Sequence, residues 1–239
     1  SIVLSLLFFY RGLTAMSTFQ NSYNQFLGKM GSIENSVTFV QRSDENTKRD
    51  FPFDYELKIK YTINGDTVTN EYIVTNTGED KLPFVIGGHP AFNCPLAKGE
   101  KFEDYKVVFD KNITKPCLRP NHHTGLVNVF EKFDEMHGGD TLSLVHELFE
   151  EKDALIFENC EAKSATLIGK SGKGVKIEFQ DMNNLLIWSA VGNAPFVALE
   201  PWTGLASCND EDGLFEHKRG MTVLEKDETA SFKFKITMI

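Results

Sequence analysis

Two short segments carry residues whose types and spacing could move protons. The first is Ile86-Gly87-Gly88-His89-Pro90-Ala91-Phe92-Asn93-Cys94-Pro95. Its paired glycines let the backbone turn sharply or approach a ligand, and Pro90 and Pro95 restrict φ at either side of the loop that starts at the histidine. An imidazole held in this way is pre-oriented for proton transfer, with a free pKa near neutrality. Taken alone, a histidine in such a loop is more often structural. The second segment is Pro195-Phe196-Val197-Ala198-Leu199-Glu200-Pro201-Trp202-Thr203-Gly204. Here an apolar strand ends in a carboxylate. Burying that charge is costly unless a site uses it. Trp202 beside it could stack on the apolar face of a sugar ring, while a surface Glu next to a core Trp is the plainer alternative.

Other patterns fall short of a known chemistry. Gly169-Lys170-Ser171-Gly172-Lys173-Gly174 suggests a phosphate cradle, but Ser164 stands where the first glycine of that loop belongs, so a hairpin turn is expected. The histidines at 122, 123, 137 and 146 have no metal-ligand spacing; a zinc helix beginning at His146-Glu147 would need histidine at Glu150. No metal site is expected. The four cysteines include no CxxC pair, so neither a zinc ribbon nor a redox motif is indicated; four could form two disulfides, but in a chain this long reduced thiols in a cytoplasmic protein are expected. A net charge of -9, with no basic stripe, argues against nucleic acid as a partner.

The elements that must position His89 and Glu200 read as strands. Tyr55 to Ile63 alternates strictly, with Tyr55, Leu57, Ile59, Tyr61 and Ile63 on one face, and Asn64-Gly65 then supplies a tight turn into Val68 to Thr75. Further strands are expected at 105–109, 154–157, 165–168, 175–179 and 232–238, with more deeply buried ones at 184–190 and 196–200. Thr141 to Glu150 reads as a helical turn or a loop. Many short strands separated by turn signals imply an all-β sandwich or barrel. The 20 phenylalanines suit a core between two facing sheets. Without repeats or linkers, residues 1–239 read as a single domain. The apolar run Ser1 to Tyr10 stops at Arg11, too short to span a membrane, and is expected to be a buried strand.

The two segments together, GGHPAFNCP and then APFVALEPWTG, closely resemble the aldose 1-epimerase (galactose mutarotase-like) family in its LacX-like branch. The resemblance runs from about Thr38 to the C-terminus and includes FPFDYEL, HELFEEKDALIFE and HKRGMTVLEKDETASFKF. It implies a large antiparallel β-sandwich of the galactose mutarotase-like supersandwich type. It implies His89 as general acid and Glu200 as general base, interconverting the α and β anomers of a monosaccharide with no metal or redox cofactor. Asp153 is similar to the family's acceptor of sugar hydroxyls, and Asn93 and Trp202 are site-lining candidates by adjacency. The chain departs from the family before Glu34, where a His-Gly-Phe-Ala-Arg motif that helps bind the sugar has no match. The expectation is a truncated or altered N-terminus. That departure leaves a catalytically impaired carbohydrate-binding or regulatory protein as the alternative function.

Overall fold

The computed structural model describes residues 35–121, 123–150 and 153–239. The apolar segment 1–10, the atypical stretch before Glu34 and the first histidine of the pair at 122 and 123 lie outside them. Contacts of residues 38–239 form one compact unit.

The first strands are β1 (Ser36–Arg42), β2 (Tyr55–Asn64), β3 (Thr67–Asn76), β4 (Leu82–Phe84), β5 (Ala91–Asn93), β6 (Tyr105–Phe109), β7 (Cys117–Pro120), β8 (Val127–Phe133) and β9 (Thr141–Ser143). A single helical turn, α1 (Glu147–Glu150), follows. The remaining strands are β10 (Leu155–Phe157), β11 (Ser164–Gly169), β12 (Gly174–Glu178), β13 (Asn184–Trp188), β14 (Phe196–Trp202), β15 (Thr222–Leu224) and β16 (Thr229–Met238). They build an eight-stranded sheet ordered β1-β2-β3-β16-β12-β11-β6-β9, a six-stranded sheet ordered β5-β14-β13-β10-β7-β8, and a small β15-β4 pair. This is the all-β antiparallel sandwich that the sequence implies.

The main core lies between the two large sheets. Tyr72, Val107, Leu167, Ile177 and Phe234 from the larger sheet meet Leu155, Phe157, Leu185, Ile187, Val197 and Leu199 from the smaller one. Phe109 and Phe157 meet across the interface with ring centroids 5.3 Å apart. Alternation along each strand of the six-stranded sheet sends the intervening residues to its other face. On that side Leu118, Ile156 and Leu186 form a second, smaller cluster with Trp188 and Trp202 packed against it.

Two local expectations change. Within 141–150 the structure has the edge strand β9 before the helical turn, because Leu142 pairs opposite Val107 and is buried there. One apolar residue in three gives the sequence too little alternation to announce a strand. Along β2 both faces are partly covered, although the pattern implies one solvated face. Its polar side chains instead form ion pairs: Glu56 lies 2.6 Å from Arg42 and 2.7 Å from Lys58.

Asn184 ties the end of β14 to its neighbours. Its amide nitrogen donates to the carbonyls of Thr203 (3.1 Å) and Gly204 (2.9 Å), and its oxygen accepts from the Asn159 amide at 2.9 Å. The side chain is buried, so Asn184→Ala would strand these groups away from water. We expect a loss of about 1–3 kcal/mol of stability in urea denaturation. An unchanged midpoint would mean that water reaches the freed carbonyls.

Candidate active site

Glu200 occupies the fifth position of β14, and alternation decides its direction. Val197 and Leu199 point into the main core, which turns Ala198, Glu200 and Trp202 to the opposite face. Strand register fills in the surroundings: Leu186 stands opposite Glu200, Trp188 opposite Ala198, and Ile156 opposite Leu186. On the other flank Asn93 of β5 stands opposite Phe196. A carboxyl group is thus set among apolar and aromatic side chains, with the Glu200 side chain only 3% exposed.

The segment carrying His89 runs alongside β14 and is pinned to it at both ends. The Gly88 amide donates to the Pro201 carbonyl at 2.9 Å, and the Leu199 amide donates to the Pro90 carbonyl at 3.1 Å. These bonds bracket His89 on one chain and Glu200 on the other. The Trp202 indole adds a bond to the Gly88 carbonyl at 3.0 Å, and Thr203 closes the far end through Ile86. Both glycines are required by close approach rather than by a positive φ. A Cβ on Gly87 would fall 2.3 Å from the Trp202 ring, and one on Gly88 would fall 2.5 Å from the Phe234 ring. The partners that come close here are protein rings.

The outcome is a pair of titratable groups in contact: His89 Nε2 lies 3.4 Å from Glu200 Oε1. The imidazole remains 31% exposed, so solvent reaches it while the carboxyl lies beneath. Burial pushes the Glu200 carboxyl up to about 8, and the nearby Asp153 charge adds to the shift. Burial also lowers the His89 imidazole below its ordinary value, partly offset by a backbone hydrogen bond. Each shift strengthens one proton-transfer role, since a carboxylate of raised pKa is a better base and an imidazolium of lowered pKa a better acid.

Asp153 reaches the same site from the turn before β10. Its backbone is left-handed, at φ 56°, and its amide donates to the Phe149 carbonyl at 3.2 Å. Arg119, buried on β7, clamps the turn by donating to the Leu148 carbonyl at 2.7 Å while Glu135 holds its other end at 2.9 Å. Trp188 donates its indole N–H to Asp153 Oδ1 at 2.5 Å, and its ring stands edge-on to His89 with centroids 5.6 Å apart. Thus His89, Glu200 and Asp153 are gathered together, Asn93 is exposed on the same face, and Trp202 braces the His89 turn. Sequence reasoning missed Trp188 and Arg119. The alternation of Leu186 and Trp188 was a usable signal, but only the β13–β14 register connects it to Glu200.

Among the described residues no group of three or more His, Cys, Asp or Glu side chains could hold a metal ion. None of their helices is long and apolar enough to cross a membrane. A cleft of about 340 Å³ is lined by Gly87, Trp202, Leu205 and Lys218 among others, without His89 or Glu200.

Comparison with known proteins gives a consistent set of relatives. A family model described as aldose 1-epimerase matches residues 20–237. Protein LacX (plasmid) of Lactococcus lactis subsp. lactis is 36% identical over 210 residues, covering 86% of this chain and 69% of LacX. The galactose mutarotase related enzyme of Lactobacillus acidophilus superposes with a TM-score of 0.78 at 25% identity, over 88% of this chain and 70% of that one. A galactose mutarotase-like protein of Lactobacillus casei gives 0.74 at 28% identity, over 87% of this chain and 71% of its own.

The buried carboxyl links this site to stability. The Glu200 pKa near 8 lies above its ordinary 4.5, so the folded chain holds that proton more tightly than the unfolded chain does. The resulting stabilisation is complete below the unfolded value and is lost as pH rises through about 8. Glu200→Gln should therefore gain roughly 2–5 kcal/mol over the wild type on going from about pH 5 to about pH 9 in urea denaturation. Parallel pH profiles for the two proteins would mean that the carboxyl is solvated.

Proposed function

We propose, from the premise that the chain belongs to the aldose 1-epimerase family, that it interconverts the α and β anomers of an aldose, with Glu200 as base and His89 as acid. The observation that carries this reading is the 3.4 Å approach of His89 Nε2 to Glu200 Oε1 on an accessible sheet face. Mutarotation moves two protons at oxygens bonded to the same carbon, C1. A donor and an acceptor one contact distance apart can serve both. Glycoside hydrolysis instead places two carboxyl groups roughly 5–9.5 Å apart on either side of the bond it breaks.

The steps follow from the pair. The Glu200 carboxylate takes the proton of the C1 hydroxyl, the electron pair of that O–H becomes the new C=O bond, and the C1–ring-oxygen bond breaks. The His89 imidazolium gives its proton to the departing ring oxygen. Rotation about C1–C2 presents the other face of the aldehyde. The ring oxygen then attacks, returning its proton to His89 as Glu200 protonates the new C1 hydroxyl. No electrons are lost or gained. Asp153, with one oxygen held by Trp188, has the other to accept a sugar hydroxyl, and Asn93 offers an amide at the edge of the same face.

The pair works with one proton shared between its members. Below the lowered His89 pKa both carry a proton and there is no base, whereas above about 8 neither does and there is no acid. Polarimetry of freshly dissolved α-galactose or α-glucose should therefore give a bell-shaped kcat/KM. Its acid limb should lie below 6.5 and its alkaline limb near 8. Glu200→Gln should lower kcat by about 10²–10⁴-fold. Sugar binding by a wild type that leaves the anomers at their spontaneous rate would indicate a binding protein instead.

A further inference from the structure

We propose that Trp188 is the positioning residue of this site, holding Asp153 toward a sugar hydroxyl and His89 toward proton transfer through two parts of one indole. The inference rests on the mutarotase reading, because it assigns Trp188 a task only in relation to those two side chains. Trp188 ends β13 opposite Ala198, so it stands on the Glu200 face one alternation step away. Its ring orientation is fixed from behind by Phe196, with centroids 5.5 Å apart and planes at 59°.

The indole N–H is a donor with no acceptor capacity, and it spends that donor on Asp153 Oδ1 at 2.5 Å. A charge-assisted bond of this kind orients a carboxylate strongly. The backbone of Asp153 is left-handed, a conformation aspartate tolerates better than most residues, and it leaves the rotation of the carboxylate to side-chain contacts. Arg119 and the Phe149 carbonyl anchor the backbone of the turn, but neither contact sets the carboxylate's rotation. With Oδ1 occupied, Oδ2 becomes the oxygen presented to a ligand.

The ring edge does a separate task at His89. The two planes meet at 88° with centroids 5.6 Å apart. An edge-to-face contact of this geometry is favourable and resists rotation of the smaller ring. It also covers part of the imidazole, contributing to the burial that lowers its pKa. One side chain therefore fixes the spacing between the hydroxyl acceptor and the acid.

Two substitutions separate the tasks. Trp188→Phe keeps a ring against His89 but has no N–H, so KM for the aldose should rise about tenfold while kcat changes less than about threefold. Trp188→Leu removes the ring edge as well. Its kcat should fall about tenfold further, and the acid limb of the pH profile should move up toward 6.5 as water reaches the imidazole. Asp153→Asn combined with Trp188→Phe should raise KM by less than the product of the single effects, because the two groups act through one bond. Wild-type kinetics in Trp188→Phe, or a lowered melting temperature with unmoved KM and pH profile in both variants, would overturn the inference. If the wild type does not accelerate mutarotation, the reaction reading fails by itself. The inference is then judged by NMR titration with galactose: Trp188→Phe should bind about tenfold more weakly, and equal affinity overturns it.

Discussion

The molecule is organised around a carboxyl group pressed into an apolar strand. Glu200 has leucine on either side of its register, Leu199 before it in the chain and Leu186 across from it, and it is nearly without solvent. Ionising it in that setting costs free energy, and Asp153 adds a like charge nearby. An imidazole in contact provides the natural counterpart, since protonated His89 relieves the charge on Glu200 at 3.4 Å. Desolvation acts on both partners, raising the carboxyl and lowering the imidazole. The same burial that makes each group reactive makes its reactive form the less common one. A site of this kind is tuned first by how much water each group loses, with the Asp153 charge adding to the shift at Glu200.

The sandwich makes that burial possible without closing the site. The inner face of the six-stranded sheet is fully used by the main core, and strands held so firmly on one side can carry a costly group on the other. The segment around His89 is then attached along β14 by backbone bonds on both sides of the reactive pair. Backbone pairing sets position more stiffly than side-chain packing does, so the imidazole inherits its placement from strand geometry. Gly87 and Gly88 let Trp202 and Phe234 press directly on that backbone from two directions.

How much of this was legible in the sequence depends on how local the signal is. The long strands β2, β3 and β16 announce themselves through alternation, and the turn at Asn64-Gly65 through residue chemistry, with Gly65 at φ 58°. His89 and Glu200 stand out because their residue types are unusual in their settings. Of the five three-residue strands among the described residues only β10, in an apolar run, does so; β4, β5, β9 and β15 do not, for pairing partners far away in sequence define them. The same limit hides Trp188. Nothing in Leu185-Leu186-Ile187-Trp188 indicates that its last residue faces a turn 35 positions earlier in the chain, where Asp153 waits. The paired glycines show the opposite case, a visible motif whose cause is invisible. Their type suggested room for a ligand, and the rings that need the room come from Trp202 and Phe234.

Solvent access at His89 bears on which reactions such a site suits. A glycosyl intermediate captured by water would be hydrolysed, so enzymes that must avoid that outcome exclude water at the reacting carbon. Anomer exchange has no such vulnerability. Its open-chain aldehyde keeps every bond needed to close again, and a passing water merely competes reversibly with the ring oxygen. The proposed acid, His89, lying 31% exposed above the buried Glu200 is therefore a tolerable arrangement for ring opening and closure. The base still gains from being dry, because the strength of a carboxylate as a proton acceptor grows as its hydration is removed. On this reasoning the asymmetry between an open imidazole and a sealed carboxyl is compatible with the two roles proposed for them.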